Sequence, residues 1–307
     1  MAVRGLWRRY TADLAGQWKR VSAGSHVIAA PFGQIEYATA GTGPRLLVLH
    51  GAGGGFDQAI SAATRLIGGG FEVIAPSRFG YLRSSSPAHA ALADQADAYA
   101  FLLDTLRIQQ AGVIGVSVGA LSALQFALRH PHRCRSLTVI VPAASAAGTA
   151  MPAQGRLPEQ GPLAGTITER VLGSDLLYWL GITCARNRMI RLVLGTDPAV
   201  VADADPGERT RVCGILHGIL PISARKQGFL TDTQFVTVPQ SIAIDRITAP
   251  TLVASVKDDR YRTFESARFI AATIPRARLI TYRTGGHAWV GHDAELFAEV
   301  DAFLKEN

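Results

Sequence analysis

Between Arg45 and Val141 short apolar runs alternate with amphipathic stretches, and this alternation limits the folds open to the chain more than any other feature. Strands are expected over Arg45 to His50, Phe71 to Pro76, Ala111 to Val116 and Leu137 to Val141. Helices are expected over about Asp57 to Ile67, about Leu92 to Arg107, and Ala120 to His130. Continuous apolar strands separated by helices imply a mostly parallel sheet covered on both faces, an α/β architecture. Ser25 to Ala30 and Gln34 to Ala40, joined by Pro31-Phe32-Gly33, read as an antiparallel lead-in.

The alternation stops at Pro142 and resumes at Thr251 to Val256, followed by a helix from Phe264 to Ile274, a strand from Ala277 to Tyr282 and a helix from Ala294 to Leu304. Small residues, Ala143 to Ala150, lead into the intervening stretch. Its helix candidates are Ile167 to Gly173, Leu176 to Leu194 with an internal Gly181, and Arg209 to Leu220; none alternates with a strand. The expected organisation is an N-terminal amphipathic helix over 1–24, an α/β core over 25–142 and 242–307, and a helical insertion over 143–241.

Gly115-Val116-Ser117-Val118-Gly119 lies where an apolar strand meets a helix and exposes a serine at the junction, the setting of a nucleophile elbow. A serine hydroxyl needs an imidazole to take its proton and a carboxylate to orient that imidazole. Lys257-Asp258-Asp259-Arg260 follows the strand ending at Val256, and Gly285-Gly286-His287 follows the next, both at carboxyl ends of strands, where sites of open α/β sheets lie. The loop His50-Gly51-Ala52-Gly53-Gly54-Gly55 can turn bare backbone amides inward and, with the amide of Val118, form an oxyanion hole.

These motifs together resemble the α/β-hydrolase fold enzymes with a helical cap, over about residues 25 to 305. The resemblance implies Ser117 as nucleophile, His287 as general base, Asp259 as its partner and the amides of Ala52 and Val118 as oxyanion donors. Asp259 is preferred over Asp258 because in the similar turn of family members the acid directly precedes a basic or Pro position, here Arg260. His50, Gly51 and Gly53 are expected to support the oxyanion loop. Ser77-Arg78-Phe79-Gly80-Tyr81-Leu82-Arg83-Ser84 resembles the family's loop after the following strand but departs at Ser77 and at Tyr81-Leu82, and it receives no catalytic role.

Ester hydrolysis through an acyl-enzyme on Ser117, without a cofactor or metal, is the expected reaction. Dehalogenases and epoxide hydrolases of this fold carry an aspartate at that position. Lactones and the carbon-carbon bonds of ring-cleavage products are the alternatives; Trp289 and His292 resemble the tail of the latter enzymes, whose asparagine has no equivalent beside Phe56-Asp57-Gln58. A non-catalytic binding protein on the same fold is the reading from a different class. A dinucleotide-binding oxidoreductase is a further rival, since Gly51-Ala52-Gly53-Gly54-Gly55 follows a strand and precedes a helix, but Phe56 at the third glycine breaks the fingerprint and no acid closes the strand ending Ala75-Pro76-Ser77; a nicotinamide-binding titration discriminates the two. Trp289, Trp179 and His217 are candidates for a substrate pocket, with apolar packing the favoured account of the last two.

The net charge of +7 is spread over arginines scattered between apolar segments, which argues for solvated surface and against nucleic acid. Three widely spaced cysteines, Cys134, Cys184 and Cys213, read as reduced and mostly buried. With no export signal or membrane-length apolar run, a cytoplasmic location is the default. Trp7, Tyr10, Leu14 and Trp18 recur at helical spacing among Arg4, Arg8, Arg9, Lys19 and Arg20. Such a helix is expected to fold back on its own domain or cover a neighbouring subunit, burying both tryptophans, so that a dimer is possible; peripheral membrane contact through residues 4–20 is the less favoured reading.

Overall fold

The computed structural model describes residues 2–88, 90–143, 173–237 and 242–307, with side chains from Arg4 onward except at Thr237. Eight strands, β1 (His26–Ala30), β2 (Gly33–Ala40), β3 (Arg45–Leu49), β4 (Glu72–Pro76), β5 (Ala111–Val116), β6 (Cys134–Ile140), β7 (Thr251–Val256) and β8 (Arg278–Tyr282), form one sheet in the order β1-β2-β4-β3-β5-β6-β7-β8. β1 pairs antiparallel with β2, and β2 with β4; every other pairing is parallel. The reversal between β4 and β3 puts β3 and β5 side by side, with Leu49 opposite Gly115, so the loops that follow these two strands meet.

Strand side chains alternate between the faces. Leu47, Leu49, Val113, Leu137, Val139 and Val253 pack under α4 (Leu92–Thr105), α5 (Gly119–Arg129) and α11 (Thr263–Thr273). Leu46, Val48, Ile114, Ile140, Leu252 and Ala254 pack under α2 (Phe56–Ala62), α3 (Thr64–Gly68) and α12 (Asp293–Glu306). Each fully buried leucine or valine contributes roughly 1.5–3 kcal/mol. That is why continuous apolar runs, and not alternating ones, mark these strands.

Between β6 and β7 the chain leaves the sheet for a helical layer: α6 (Asp175–Cys184), α7 (Arg186–Val193), α8 (Pro198–Asp203), α9 (Pro206–Gly218) and α10 (Lys226–Thr237). The single helix expected over Leu176 to Leu194 is two, broken at Ala185, because Gly181 lets Met189 pack back against it: a Cβ there would lie 2.9 Å from the Met189 sulfur. Asp197 and Asp205 cap α8 and α9, each directly before a proline at the first helical position. The helix expected over Ile167 to Gly173, its last residue excepted, and the small-residue segment after Ala143 lie outside the described residues.

The layer has its own core, in which Tyr178, Trp179, Ile182, Val212 and Leu216 surround Tyr10 of the N-terminal helix α1 (Ala2–Ser22). α1 does fold back on the chain, but it does not bury its tryptophans: Trp7 is 55% and Trp18 42% exposed. Of the cysteines, Cys134 is buried, whereas Cys184 is exposed. Among the described residues no helix is long and apolar enough to cross a membrane.

Candidate active site

Ser117 sits between the last residue of β5 and the first turn of α5 with φ of 54°, a left-handed conformation that costs a non-glycine residue about 1–3 kcal/mol. The turn is held on both sides: the Ser117 amide donates to the carbonyl of Ile140 at 2.9 Å, and its own carbonyl accepts from Ala120 at 3.0 Å and Ala143 at 3.1 Å. It is also crowded. A Cβ on Gly119 would fall onto the carbonyl oxygens of Leu49 and His50, so the second glycine of the motif is what lets the serine turn rest against β3.

Ser117 Oγ lies 2.9 Å from Nε2 of His287, and Nδ1 of His287 lies 2.8 Å from Oδ2 of Asp259. Asp259 is buried and can only accept, which assigns the proton of the neutral imidazole to Nδ1 and leaves Nε2 to accept from the serine hydroxyl. The remaining acceptor capacity of the carboxylate is filled by the Tyr261 amide at 2.8 Å and by the Thr263 hydroxyl. Tyr261 also stands edge-on to His287, ring centroids 4.9 Å apart, with its hydroxyl anchored on the Leu192 carbonyl at 2.7 Å. Burial, with the charge of Asp259, pushes the Tyr261 phenol up, so it remains a neutral wall.

The sequence brought Ser117, Asp259 and His287 into consideration and the fold brings them together. Asp258 has a part that a surface reading misses. Its carboxylate, though exposed, accepts from the amides of Gly286 at 2.8 Å and Gly285 at 3.3 Å, bracing the turn that presents His287. Gly286 has φ of 62°, and a Cβ there would run into Thr196.

Gly51 lies against Ser117, since a Cβ on it would be 3.1 Å from that of the serine. Among the described residues the amides of Ala52 and Val118 meet no acceptor. The loop between them and α2 is fixed by charge. The Arg225 guanidinium, fully buried, donates to the Gly54 carbonyl, to Asp57 Oδ2 at 2.9 Å and to the Gly218 carbonyl at 3.0 Å. Asp57 also receives Arg20 of α1. Burial alone would raise the Asp57 carboxyl, but Arg225 and Arg20 outweigh it and hold the group below the usual carboxylate range.

His50 ties this loop to the chain after β4. Its Nε2 lies 3.0 Å from the Arg78 amide, which can only donate, so Nδ1 carries the proton toward the Gly51 carbonyl at 2.7 Å. Burial, then the charges of Arg78 and Arg225, keep this imidazole far below its ordinary pKa. The Gly53 amide donates to the Tyr81 hydroxyl at 3.2 Å.

A cavity of about 1200 Å3 opens over Ser117 and His287. Phe56, Ile215, Ile219, Phe229, Leu192 and Val193 give it an apolar lining drawn from α2 and the helical layer. His217 and Trp289 line it too. Trp179 does not: it is wholly buried in the core of the helical layer, its indole N–H donating to Asp13 at 2.9 Å, so packing accounts for it. Each arginine on the wall faces a carboxylate, Arg20 with Asp57, Arg65 with Asp293 and Arg211 with Glu208.

A parallel sheet reversed beside β3, a serine at a strained strand-to-helix turn and an imidazole within reach of it define a hydrolase architecture. The profile of the alpha/beta hydrolase fold family matches residues 44–290, and the chain belongs to that family. It is 37% identical over 107 residues to the uncharacterized hydrolase YcgS of Bacillus subtilis, a match covering 35% of this chain and 37% of that one. To the 2-hydroxymuconate semialdehyde hydrolase of a Pseudomonas strain it is 27% identical over 296 residues, 92% of this chain and 94% of the relative. An alpha/beta hydrolase fold protein from Nakamurella multipartita superposes with a TM-score of 0.71 at 26% identity, covering 92% and 99% of the two chains.

Proposed function

We propose that this hydrolase cleaves carboxylic esters through an acyl-enzyme on Ser117. The observation that carries the reading is the hydrogen-bonded series from Ser117 Oγ to His287 Nε2, 2.9 Å, and from His287 Nδ1 to Asp259 Oδ2, 2.8 Å. As Oγ attacks the ester carbonyl carbon, its proton passes to Nε2, and the imidazolium is stabilised by Asp259. The carbonyl oxygen takes the negative charge and accepts from the Ala52 and Val118 amides. Collapse of the tetrahedral adduct breaks the bond to the alkoxide, which leaves with the proton from Nε2. Water then attacks the acyl group, His287 takes its proton, and the acid departs as Ser117 is restored. Each oxyanion donor is worth about 2.7–4 kcal/mol of transition-state stabilisation.

The wall favours an uncharged apolar acyl group, because its arginines already face carboxylates and none is left to meet a substrate carboxylate. Carbon-carbon bond hydrolysis is the second reading, and it rests on the near-full-length likeness to the 2-hydroxymuconate semialdehyde hydrolase. A panel of nitrophenyl esters of graded acyl length, lactones and a ring-cleavage product separates the two. Turnover of apolar esters, lost in Ser117→Ala, is the expected result; turnover of the ring-cleavage product alone would overturn it.

A further inference from the structure

The helix α1 is tethered along one side. Tyr10 and Val21 are buried, Asp13 accepts from the Trp179 indole, and Arg20 donates to Asp57 and, at 2.9 Å, to the carbonyls of Gly218 and Leu220. Arg4, Arg8 and Lys19 stand exposed on the side away from the body. Successive residues turn by about 100°, so Trp7, Thr11 and Trp18 form a row on the flank beside these cations, where Trp7 meets the Tyr10 ring at 5.4 Å and both indoles remain exposed. Among the described residues none of these three cations meets a carboxylate, and the helix's one acidic residue, Asp13, faces inward.

We propose that this outer face of α1 docks the protein on an anionic lipid bilayer, with Trp7 and Trp18 in the headgroup region and Arg4, Arg8 and Lys19 on lipid phosphates. Indole is amphipathic and settles at the depth where such cations find phosphate, so aromatic insertion and charge attraction supply two signals together. The net charge of +7 draws the protein toward an anionic surface. A twofold contact with a second copy would set the row of cations against itself, which makes that occupant the poorer fit. On the inner side of the same helix Gln17 and Arg20 line the cavity, with exposed Gly24, Ser61 and Thr64 at its rim. Docking therefore brings the cavity entrance within about one helix diameter, ~10–12 Å, of the lipid.

The test is sedimentation with vesicles of phosphatidylglycerol and phosphatidylcholine, set against phosphatidylcholine alone, for the full chain and for the variants Trp7→Ser/Trp18→Ser and Arg4→Gln/Arg8→Gln/Lys19→Gln. The native chain should bind the anionic vesicles, lose binding as salt is raised, and bind at least tenfold more weakly in either variant. Hydrolysis of a soluble short-chain ester should be the same in all three, and failure of hydrolysis would bear on Ser117 and not on this face. Absence of native binding, equal binding by the tryptophan variant, or equal affinity for neutral vesicles would overturn the proposal. So would a dimer, seen by light scattering, that the tryptophan variant abolishes, since it would give the face to a second copy. Iodide quenching that fails to distinguish the native chain from Trp7→Ser/Trp18→Ser without lipid would mean the face is already covered, and would overturn it equally.

Discussion

Arg78, in the loop after β4, and Asp232, on α10 of the helical layer, form a two-point ion pair in which both nitrogen–oxygen distances are 2.6 Å and both side chains are nearly out of water. The Tyr81 hydroxyl donates to the same carboxylate at 2.5 Å while accepting from the Gly53 amide. One cluster thus fastens the helical layer to the loop beside Ser117.

Breaking that pair from one side leaves a dehydrated charge. Asp232→Asn should cost about 3–5 kcal/mol of stability, whereas the double change Arg78→Met/Asp232→Leu should recover most of it. Urea unfolding followed by fluorescence and circular dichroism measures both. A single variant as stable as the native chain would contradict the buried pair.

The two adjacent carboxylates should separate sharply in turnover. Ser117→Ala should lower ester hydrolysis by about 10⁶-fold, and Asp259→Asn by about 10⁴-fold, because the imidazole loses the partner that fixes its tautomer. Asp258→Asn disturbs only the turn before His287 and should cost about tenfold, in the range of one charge-assisted hydrogen bond. Steady-state kinetics on a nitrophenyl ester ranks them.

Arg225 touches no space that substrate would fill, yet it sets the Gly54 carbonyl two residues from the Ala52 amide. Arg225→Met leaves Asp57 paired with Arg20, so the chain should still fold. kcat should fall by about 10²-fold, the cost of a misplaced donor, with KM little changed. A loss confined to KM would place Arg225 in binding and not in positioning.

His50 predicts an acid limb of the stability curve. Its pKa is depressed in the folded chain, so between that value and the ordinary 6.5 the unfolded chain binds more protons, and stability rises with pH. The contribution is complete above about pH 6.5 and is lost as pH falls through the folded value. His50→Gln should remove up to one proton's slope, about 1.4 kcal/mol per pH unit, from denaturation midpoints measured across that range.

The sheet was legible because its strands are continuous apolar runs, and Ala111–Val116 and Thr251–Val256 coincide with the runs read from the sequence. The serine, imidazole and carboxylate were legible because each follows such a run directly. What escaped depends on partners far along the chain. An arginine in a sequence reads as surface, and Arg78 becomes a core residue only because Asp232 arrives to meet it. Thr263 and Tyr261 carried a local signal, standing four and two residues beyond Asp259, where a carboxylate commonly finds donors. Nothing in the spacing of Trp7 and Trp18 tells which side of α1 turns inward; Asp13 and Arg20 decide it through contacts with the helical layer and α2.

Among the described residues the helical layer over Ser117 comes from one stretch of chain between β6 and β7, with α1, α2 and α3 completing the cavity wall, while Ser117, Asp259 and His287 follow β5, β7 and β8. A lineage can therefore rewrite much of the cavity wall by editing a single contiguous segment of the gene, without moving the atoms proposed to carry out the reaction. Arg225, Asp232, Leu192, Thr196 and Arg211 are among the exceptions, since they lie in that segment yet hold the loop after β3 and the chain beside His287. Such contacts mark how far an exchange can go before it reaches the chemistry.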